Sequence, residues 1–277
     1  MPPTPKERAA EQREPRQGRG ATSAENPSPA ATPESSGERI ISLHAGYDCN
    51  GRFVDGYMAR PRDERPRPGV VMLSGMRGLT WTQRELTRLF ARAGFVALSP
   101  DYLGRRPKTV AEGLAAKNAL SVETAIEQLA AGSRFLKSLP WVGAEGNVGI
   151  MGFCLGGGLA LLALAETDDF DAAAIYHHSL FPDARDLAGI DGPIICHYGT
   201  DDEATPREEV DAFTRTLDSL GKSYERHWYE GMGHNFAQIP PDADVPASQR
   251  AAATASYERT FRFLHTTLAP TATSSQE

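Results

Sequence analysis

A cysteine flanked by glycines is the residue of this sequence best suited to do chemistry. The run Gly152-Phe153-Cys154-Leu155-Gly156 follows a short apolar stretch and precedes an alanine- and leucine-rich one, which predicts a strand, a sharp turn and a helix. In such a nucleophile elbow, small neighbours permit a strained turn that lifts the central side chain above the sheet. The positive end of the following helix favours negative charge at the same place. Cys154 is therefore the candidate nucleophile, and the amide of Leu155 is a candidate oxyanion donor.

The other cysteines lack this context. Cys49 lies in a predicted turn and is expected to be a surface or turn thiol, whereas Cys196 lies in a predicted buried strand. Three cysteines without paired spacing give no disulfide framework. For the elbow itself, a phosphate-binding loop and a buried structural cysteine are the alternative interpretations. The first is disfavoured because no Lys-Ser/Thr pair follows the glycines.

A nucleophile of this type needs a base and an acid that orients the base, and both candidates follow in the expected chain order. His234 stands on a glycine-flanked loop after a predicted strand, and it is the candidate base. The candidate acids, Asp201 and Asp202, are adjacent in a polar loop at the carboxyl end of another predicted strand. In open parallel sheets, loops at those strand ends carry ligands and catalysis.

The sequence from about residue 46 to residue 268 resembles the dienelactone hydrolase family of the α/β-hydrolase superfamily, whose nucleophile is a cysteine in G-x-C-x-G. The resemblance selects Asp202 as the acid, through a G-x-x-D pattern followed by a proline, and leaves Asp201 as a loop-capping alternative. It also places the amide of Met76 beside that of Leu155 in the oxyanion hole. The family carries a glutamate in this loop that contacts the cysteine, where this chain has Gly75. Activation of the thiol is then expected to rest on the base.

The resemblance further implies a site for an anionic substrate. Pro100-Asp101-Tyr102-Leu103-Gly104-Arg105 is similar to the family's P-D-L-Y-x-R segment, so Arg105 is a candidate for binding a carboxylate. A second arginine of the family, shortly after the histidine, is replaced by Gln238. Arg77 stands where the family often has an aromatic residue, and it is a further substrate-binding candidate, with a solvated loop arginine as the alternative. A neutral amide cannot reproduce a bidentate guanidinium contact, so the preference for anions is expected to be weakened.

Composition and spacing exclude several other classes of protein. The formal net charge of -7 argues against nucleic-acid binding. No C-x-x-C or H-E-x-x-H spacing is present, and we expect neither a metal site nor another cofactor. His177-His178 is expected to be a satisfied core or loop pair, with pocket lining as the alternative. No apolar run reaches the length needed to span a membrane, and we expect a cytoplasmic enzyme with a small-molecule substrate. The pattern gives no indication of the oligomeric state.

The remaining elements predict a single α/β domain. Two short strands at 40–44 and 53–59 flank a turn and should form an antiparallel edge, and strands then alternate with helices. The predicted strands lie at 69–73, 95–99, 147–151, 171–176, 193–199 and 224–229, and the predicted helices at 82–93, 122–138, 159–166 and 248–267. This order favours an α/β-hydrolase fold, with a mostly parallel sheet covered by helices on both faces over residues 39–268. Residues 1–38 are predicted to be a disordered extension, and 269–277 a flexible tail.

Together these features predict an esterase or lactonase. Cys154 would attack a carbonyl, His234 would carry the proton, Asp202 would hold the imidazole, and water would release the acyl-enzyme. Acyl transfer or thioester hydrolysis by the same triad is one alternative. A non-catalytic binding protein that retains a hydrolase scaffold is another.

Overall fold

A central eight-stranded sheet dominates the computed structural model, which describes residues 39–143 and 146–269. The predicted disordered extension, 1–38, and all of the predicted tail beyond residue 269 lie outside the described residues. In chain order the strands are β1 Ile40–Cys49, β2 Arg52–Pro61, β3 Gly69–Leu73, β4 Val96–Pro100, β5 Val148–Phe153, β6 Ala172–Tyr176, β7 Ile194–Gly199 and β8 Tyr224–Tyr229. They are arranged in the order β1-β2-β4-β3-β5-β6-β7-β8. β3 to β8 pair in parallel, while β1 and β2 form the antiparallel edge that the sequence predicts.

Helices cover both faces of the sheet, as predicted for an α/β-hydrolase fold. Within the described ranges they are α1 Trp81–Arg92, α2 Val110–Asn118, α3 Val122–Ser138, α4 Leu155–Glu166, α5 Ala184–Leu187, α6 Arg207–Ser219 and α7 Ala247–Thr267. Alternate strand residues pack into two separate cores: Val71 and Ile150 lie with α3, α4 and α6, whereas Val70 and Met151 lie with α1 and α7. The period-two alternation of strand side chains thus divides the apolar residues between the two faces.

The β1–β2 hairpin is longer than predicted, and it corrects the expectation for Cys49. Asn50 and Gly51 both have positive φ, at 54° and 79°, as a two-residue hairpin turn requires. Cys49 precedes this turn as the last residue of β1, and it is only 5% exposed. It belongs to the core that includes Tyr47, whose ring stacks on Phe135 of α3. The prediction of a surface or turn thiol is therefore wrong, whereas Cys196 is buried in β7 as expected.

The helix α2 was not predicted. Its N-cap, Thr109, accepts a hydrogen bond from the amide of Glu112, but Val110 and Leu114 within the helix are exposed. The buried positions are Gly113 and Ala116, so the helix has no apolar stripe that a periodicity search would detect. Gly113 lies against Met76 in the loop after β3. α2 therefore packs beside the loop that the resemblance assigns to the oxyanion hole.

Candidate active site

The turn between β5 and α4 has the strained geometry of a nucleophile elbow. Cys154 is the N-cap of α4 and adopts φ 54° and ψ −117°, a conformation that is costly for a residue with a side chain. The flanking glycines make it feasible. A Cβ at Gly152 would lie 2.0 Å from the carbonyl oxygen of Gly156, and one at Gly156 would lie 2.5 Å from that of Ser74. The sequence expectation of tiny neighbours thus has a direct steric cause.

His234 and Asp202 meet on the adjacent loops. Nδ1 of His234 lies 2.8 Å from Oδ2 and 3.0 Å from Oδ1 of Asp202. The carboxylate is fully buried, and its Oδ1 also accepts hydrogen bonds from the amides of Ala204 (2.9 Å) and Thr205 (3.1 Å). His234 keeps about a fifth of its side chain exposed, and it lies near enough to Cys154 for each group to shift the pKa of the other. The structure therefore brings together the three side chains that the sequence predicts.

The charges of this cluster favour a thiolate facing an imidazolium. Burial lowers the pKa of His234, but hydrogen bonds with Asp202 and Cys154 outweigh burial and raise that pKa to about 9. Burial raises the pKa of Cys154, yet hydrogen bonds from His234, Ser179 and the Leu155 amide leave it below the ordinary thiol value. The pKa of Asp202 is likewise lowered: its own burial acts against this, and the hydrogen bond and charge of His234 prevail. The two pKa shifts therefore both act in the direction of a charged pair.

The other candidate acid points elsewhere. Asp201 is exposed, and its Oδ1 accepts a hydrogen bond from the hydroxyl of Thr200 at 2.9 Å. Its amide donates to the carbonyl of Met232, which fastens the loop of Asp201 to the loop that carries His234. Asp201 therefore has the loop-stabilising contacts of the alternative interpretation, while the adjacent Asp202 faces the imidazole.

The two backbone amides predicted to bind an oxyanion, those of Leu155 and Met76, lie in the turns that follow β5 and β3. The amide of Leu155 is at the start of α4, where it acts to lower the pKa of Cys154. Met76 follows β3, which pairs directly with β5, and its amide donates no hydrogen bond to another described residue. Between them, a Cβ at Gly75 would lie 3.3 Å from Cβ and 4.0 Å from Sγ of Cys154. Position 75 therefore faces the candidate nucleophile, and glycine leaves that side of the sulfur uncovered.

A serine that the sequence analysis missed contacts the same sulfur. Ser179 lies three residues beyond β6, and its Oγ is 3.2 Å from Sγ of Cys154. No motif singles out this serine, because the contact depends on the register of β6 beside β5. Only the position of Ser179 just after a predicted strand next to the elbow could have suggested it.

His177 and His178, which follow β6, are not fully hydrogen-bonded. The expectation that they form a satisfied core or loop pair is therefore wrong in part. Nδ1 of His178 bonds the hydroxyl of Tyr198 at 3.0 Å. Nε2 of His178 and both nitrogens of His177 are buried with no partner in hydrogen-bond geometry among the described residues, and the nearby Asn235 only partly offsets the fall in the pKa of His177. The ring of His177 lies 4.4 Å from that of His234, at 60°. Burial first, and the neighbouring His234 second, lower the pKa of His177 to about 3. A neutral imidazole therefore packs against the candidate base.

The candidate substrate-binding residues are more scattered. Arg77 and Arg105 are exposed, and neither side chain forms an ion pair or hydrogen bond with any other described residue. Arg105 lines a cleft of about 520 Å³ beside Asp101 and Tyr102, whose lining includes no member of the Cys154, Asp202 and His234 cluster. Tyr102 connects the cleft to the site, because its buried hydroxyl donates to the carbonyl of Ser74 (2.8 Å) next to Gly75. Gln238 is half-buried, and its backbone amide donates a hydrogen bond to the carbonyl of Asn235. Their roles stay predictions.

No three or more His, Cys, Asp or Glu side chains in the described ranges are grouped so as to hold a metal ion. None of the helices there combines the length and the apolar character of a membrane span.

Comparison with known proteins decides the family. The model of the Dienelactone hydrolase family matches residues 54–268. The chain belongs to this family. Among curated proteins, this dienelactone hydrolase family member is 29% identical over 220 residues to a carboxymethylenebutenolidase of Rhodococcus opacus, covering 75% of this chain and 84% of that protein. It is also 29% identical over 230 residues to a probable 2-oxo-3-(5-oxofuran-2-ylidene)propanoate lactonase of Bradyrhizobium, covering 78% and 92%.

Solved structures agree on the fold of this family member. A putative dienelactone hydrolase from Klebsiella pneumoniae superposes with a TM-score of 0.73 at 20% identity, covering 81% of this chain and 98% of the other. The likeness supports the α/β-hydrolase fold. The chain is thus a hydrolase of the dienelactone hydrolase family, with its three clustered side chains at the carboxyl edge of the sheet.

Proposed function

We propose that this protein hydrolyses small esters or lactones through an acyl-thioester on Cys154. The observation that carries the proposal is the hydrogen bond from the buried Asp202 carboxylate to His234, which interacts in turn with a sulfur on a strained elbow. A base held by a third group beside a nucleophile is the arrangement used in covalent hydrolysis. The names of the Rhodococcus and Bradyrhizobium relatives, a butenolidase and a lactonase, support a lactone as substrate.

In the first half of the reaction, the Cys154 thiolate adds to the substrate carbonyl carbon and the carbonyl electrons move to oxygen. The amides of Leu155 and Met76 would stabilise that oxyanion. As the intermediate collapses, the imidazolium of His234 gives its Nε2 proton to the departing alkoxide oxygen, and the carbon–oxygen bond breaks. In a lactone, that alcohol remains attached to the acyl group.

In the second half, neutral His234 takes a proton from water while the hydroxyl adds to the thioester carbon. The new intermediate expels the thiolate, the acid leaves, and the thiolate–imidazolium pair is restored. Asp202 accepts a hydrogen bond from the Nδ1–H throughout and is not itself protonated, so that Nε2 always faces the sulfur. Esters and lactones suit this cycle better than amides, because an amine leaves less readily than the thiolate.

The test is turnover of a panel of lactones and activated esters by the wild type and by Cys154→Ala, with Cys196→Ala as the matched control at a buried cysteine outside the site. We expect hydrolysis by the wild type and the control, and none above the background by Cys154→Ala. Undiminished turnover by Cys154→Ala would refute the nucleophile. A wild type inactive on every ester and lactone, but active in transfer to an acceptor or on thioesters, would favour the alternative reactions.

A further inference from the structure

Ser179 is tied to the elbow by the backbone as well as by its side chain. The amide of Cys154 donates to the carbonyl of Tyr176 (3.0 Å), and the amide of Ser179 donates back to the carbonyl of Cys154 (3.1 Å). These two bonds fix the loop after β6 against the nucleophile. The Ser179 hydroxyl, 3.2 Å from the sulfur, is therefore held by a loop whose backbone is fixed, and it is not a free surface side chain.

The surroundings of the sulfur indicate what this hydroxyl does. A half-buried thiolate needs donors to replace water. The hydroxyl of Ser179 lies within hydrogen-bond distance of it, and His234 and the amide of Leu155 also act to lower its pKa. Position 75 presents glycine, so no side chain covers the sulfur from that direction. When the proton resides on His234, the sulfur carries none, and the hydroxyl must be the donor.

We propose that the Ser179 hydroxyl is a further catalytic residue, which donates a hydrogen bond to the Cys154 thiolate and keeps the nucleophile ionised; this inference rests on the proposed function. Donation by Ser179 stabilises the resting thiolate without adding a charge near the substrate. It also makes the sulfur a weaker nucleophile, because attack withdraws electron density from that bond. The residue therefore exchanges intrinsic reactivity for a larger thiolate fraction at neutral and mildly acidic pH.

Other titratable groups also face the sulfur and belong in the interpretation of a pH profile. His234 interacts with it directly, and Asp202 and His177 act on it through His234. The phenol of Tyr102 lies near enough for the two groups to interact, and burial keeps its pKa above the ordinary value. None of these is removed by a change at Ser179, so a shift of the profile in a Ser179 variant reports the hydroxyl.

The experiment measures the rate of alkylation of Cys154 by iodoacetamide against pH, with the modified cysteine identified by peptide mass spectrometry. The thiolate displaces iodide, so the midpoint of the acidic limb reports ionisation of the Cys154–His234 pair. Cys49 and Cys196 serve as internal references, because both are buried, and burial raises the pKa of Cys196 to about 12. Wild type, Ser179→Ala and Ser179→Thr are compared, since threonine keeps the hydroxyl and both variants keep the amide.

For the wild type we expect a midpoint well below that of an ordinary thiol. Ser179→Ala should raise this midpoint by about one pH unit, the scale of one hydrogen bond to a charged acceptor. Above both midpoints, the alanine variant should react up to about threefold faster, because a more basic thiolate is more nucleophilic. Ser179→Thr should stay near the wild type. Ser179→Gly provides the same test if the alanine variant does not fold.

The possible results distinguish a failure of the role proposed for Ser179 from a failure of the proposed function. An unchanged midpoint in Ser179→Ala, with a low wild-type midpoint, would overturn the role of Ser179 and leave the nucleophile intact. An equal shift of the midpoint in the alanine and threonine variants would assign the effect to the loop, and it would also overturn the role of the Ser179 hydroxyl. A wild-type Cys154 that titrates like an ordinary thiol would instead overturn the proposed nucleophile, and the role of Ser179 with it.

Discussion

Replacing Asp202 by asparagine should invert the tautomer of His234. Oδ1 of Asp202 accepts two backbone amides, from Ala204 and Thr205, and those donors require an acceptor at that position. The asparagine oxygen should therefore occupy the Oδ1 site, which leaves the amide NH₂ at the Oδ2 site, 2.8 Å from Nδ1 of His234. Because this NH₂ is nearer to Nδ1 than the asparagine oxygen, which would lie 3.0 Å away, we expect Nδ1 to accept a hydrogen bond and the proton of a neutral imidazole to move to Nε2.

An imidazole with its proton on Nε2 cannot take a proton from water at the sulfur side. Loss of the carboxylate also removes the charge that helps to hold the pKa of His234 at about 9, so the thiolate loses its counter-ion. The same exchange costs about 10⁴ in rate in a related triad, or about 5 kcal/mol of transition-state stabilisation. We expect a fall of that order in kcat/KM for an activated ester.

The assay compares kcat/KM of the wild type, Asp202→Asn and Asp201→Asn, with circular dichroism as a check of folding. Asp201 is exposed and bonds only the neighbouring Thr200 through its carboxylate among the residues described, so its variant should stay within a few-fold of the wild type. The reasoning is refuted if Asp202→Asn retains more than about a tenth of the activity, or if Asp201→Asn is the more damaged variant.

Three further predictions follow from the same geometry. For an alkyl ester, kcat/KM should fall above pH 9, because the His234 imidazolium loses the proton that the leaving alkoxide needs. For a nitrophenyl ester the fall in kcat/KM above pH 9 should be weaker. An equal fall for both esters would contradict the role of His234 as the acid. Gln238→Arg should raise kcat/KM for an anionic lactone and Arg105→Ala should lower it, each by about ten- to a hundredfold. Both variants should change kcat/KM for a neutral ester little, and equal effects on the two substrates would refute the predicted anion-binding site. Gly152→Ala, whose Cβ would lie 2.0 Å from the Gly156 carbonyl oxygen, should lower the free energy of unfolding by about 3 kcal/mol or more in urea titrations, and a near-wild-type midpoint would contradict the steric argument.

Local signals predicted the framework of the site well. The glycines around Cys154 predict a sharp turn because no larger residue fits there, and the structure has the corresponding steric contacts. Asn50-Gly51 predicts a hairpin for a similarly local reason, the positive φ of both residues. The alternation of buried strands and amphipathic helices was sufficient for the fold class.

Features that depend on contacts distant in sequence were missed. Ser179 and His177 have no motif, and they reach the site because β6 pairs beside β5. The burial of Cys49 arises from the packing of the hairpin against α3, which a turn signal does not reveal. The helix α2 escaped detection because its buried face consists of glycine and alanine. In each case the determining contact is tertiary, and the local pattern is silent or favours another structure.

The most direct test of the central claim is the mass of the enzyme during turnover. An activated ester is mixed with the protein, the reaction is quenched in acid within the first turnovers, and the peptide that contains Cys154 is examined. We predict an increase equal to the mass of the acyl group on Cys154, which hydroxylamine removes, and which is absent from Cys154→Ala. An acyl group on another residue, or full turnover with no acylated Cys154 at any quench time, would contradict the acyl-thioester mechanism.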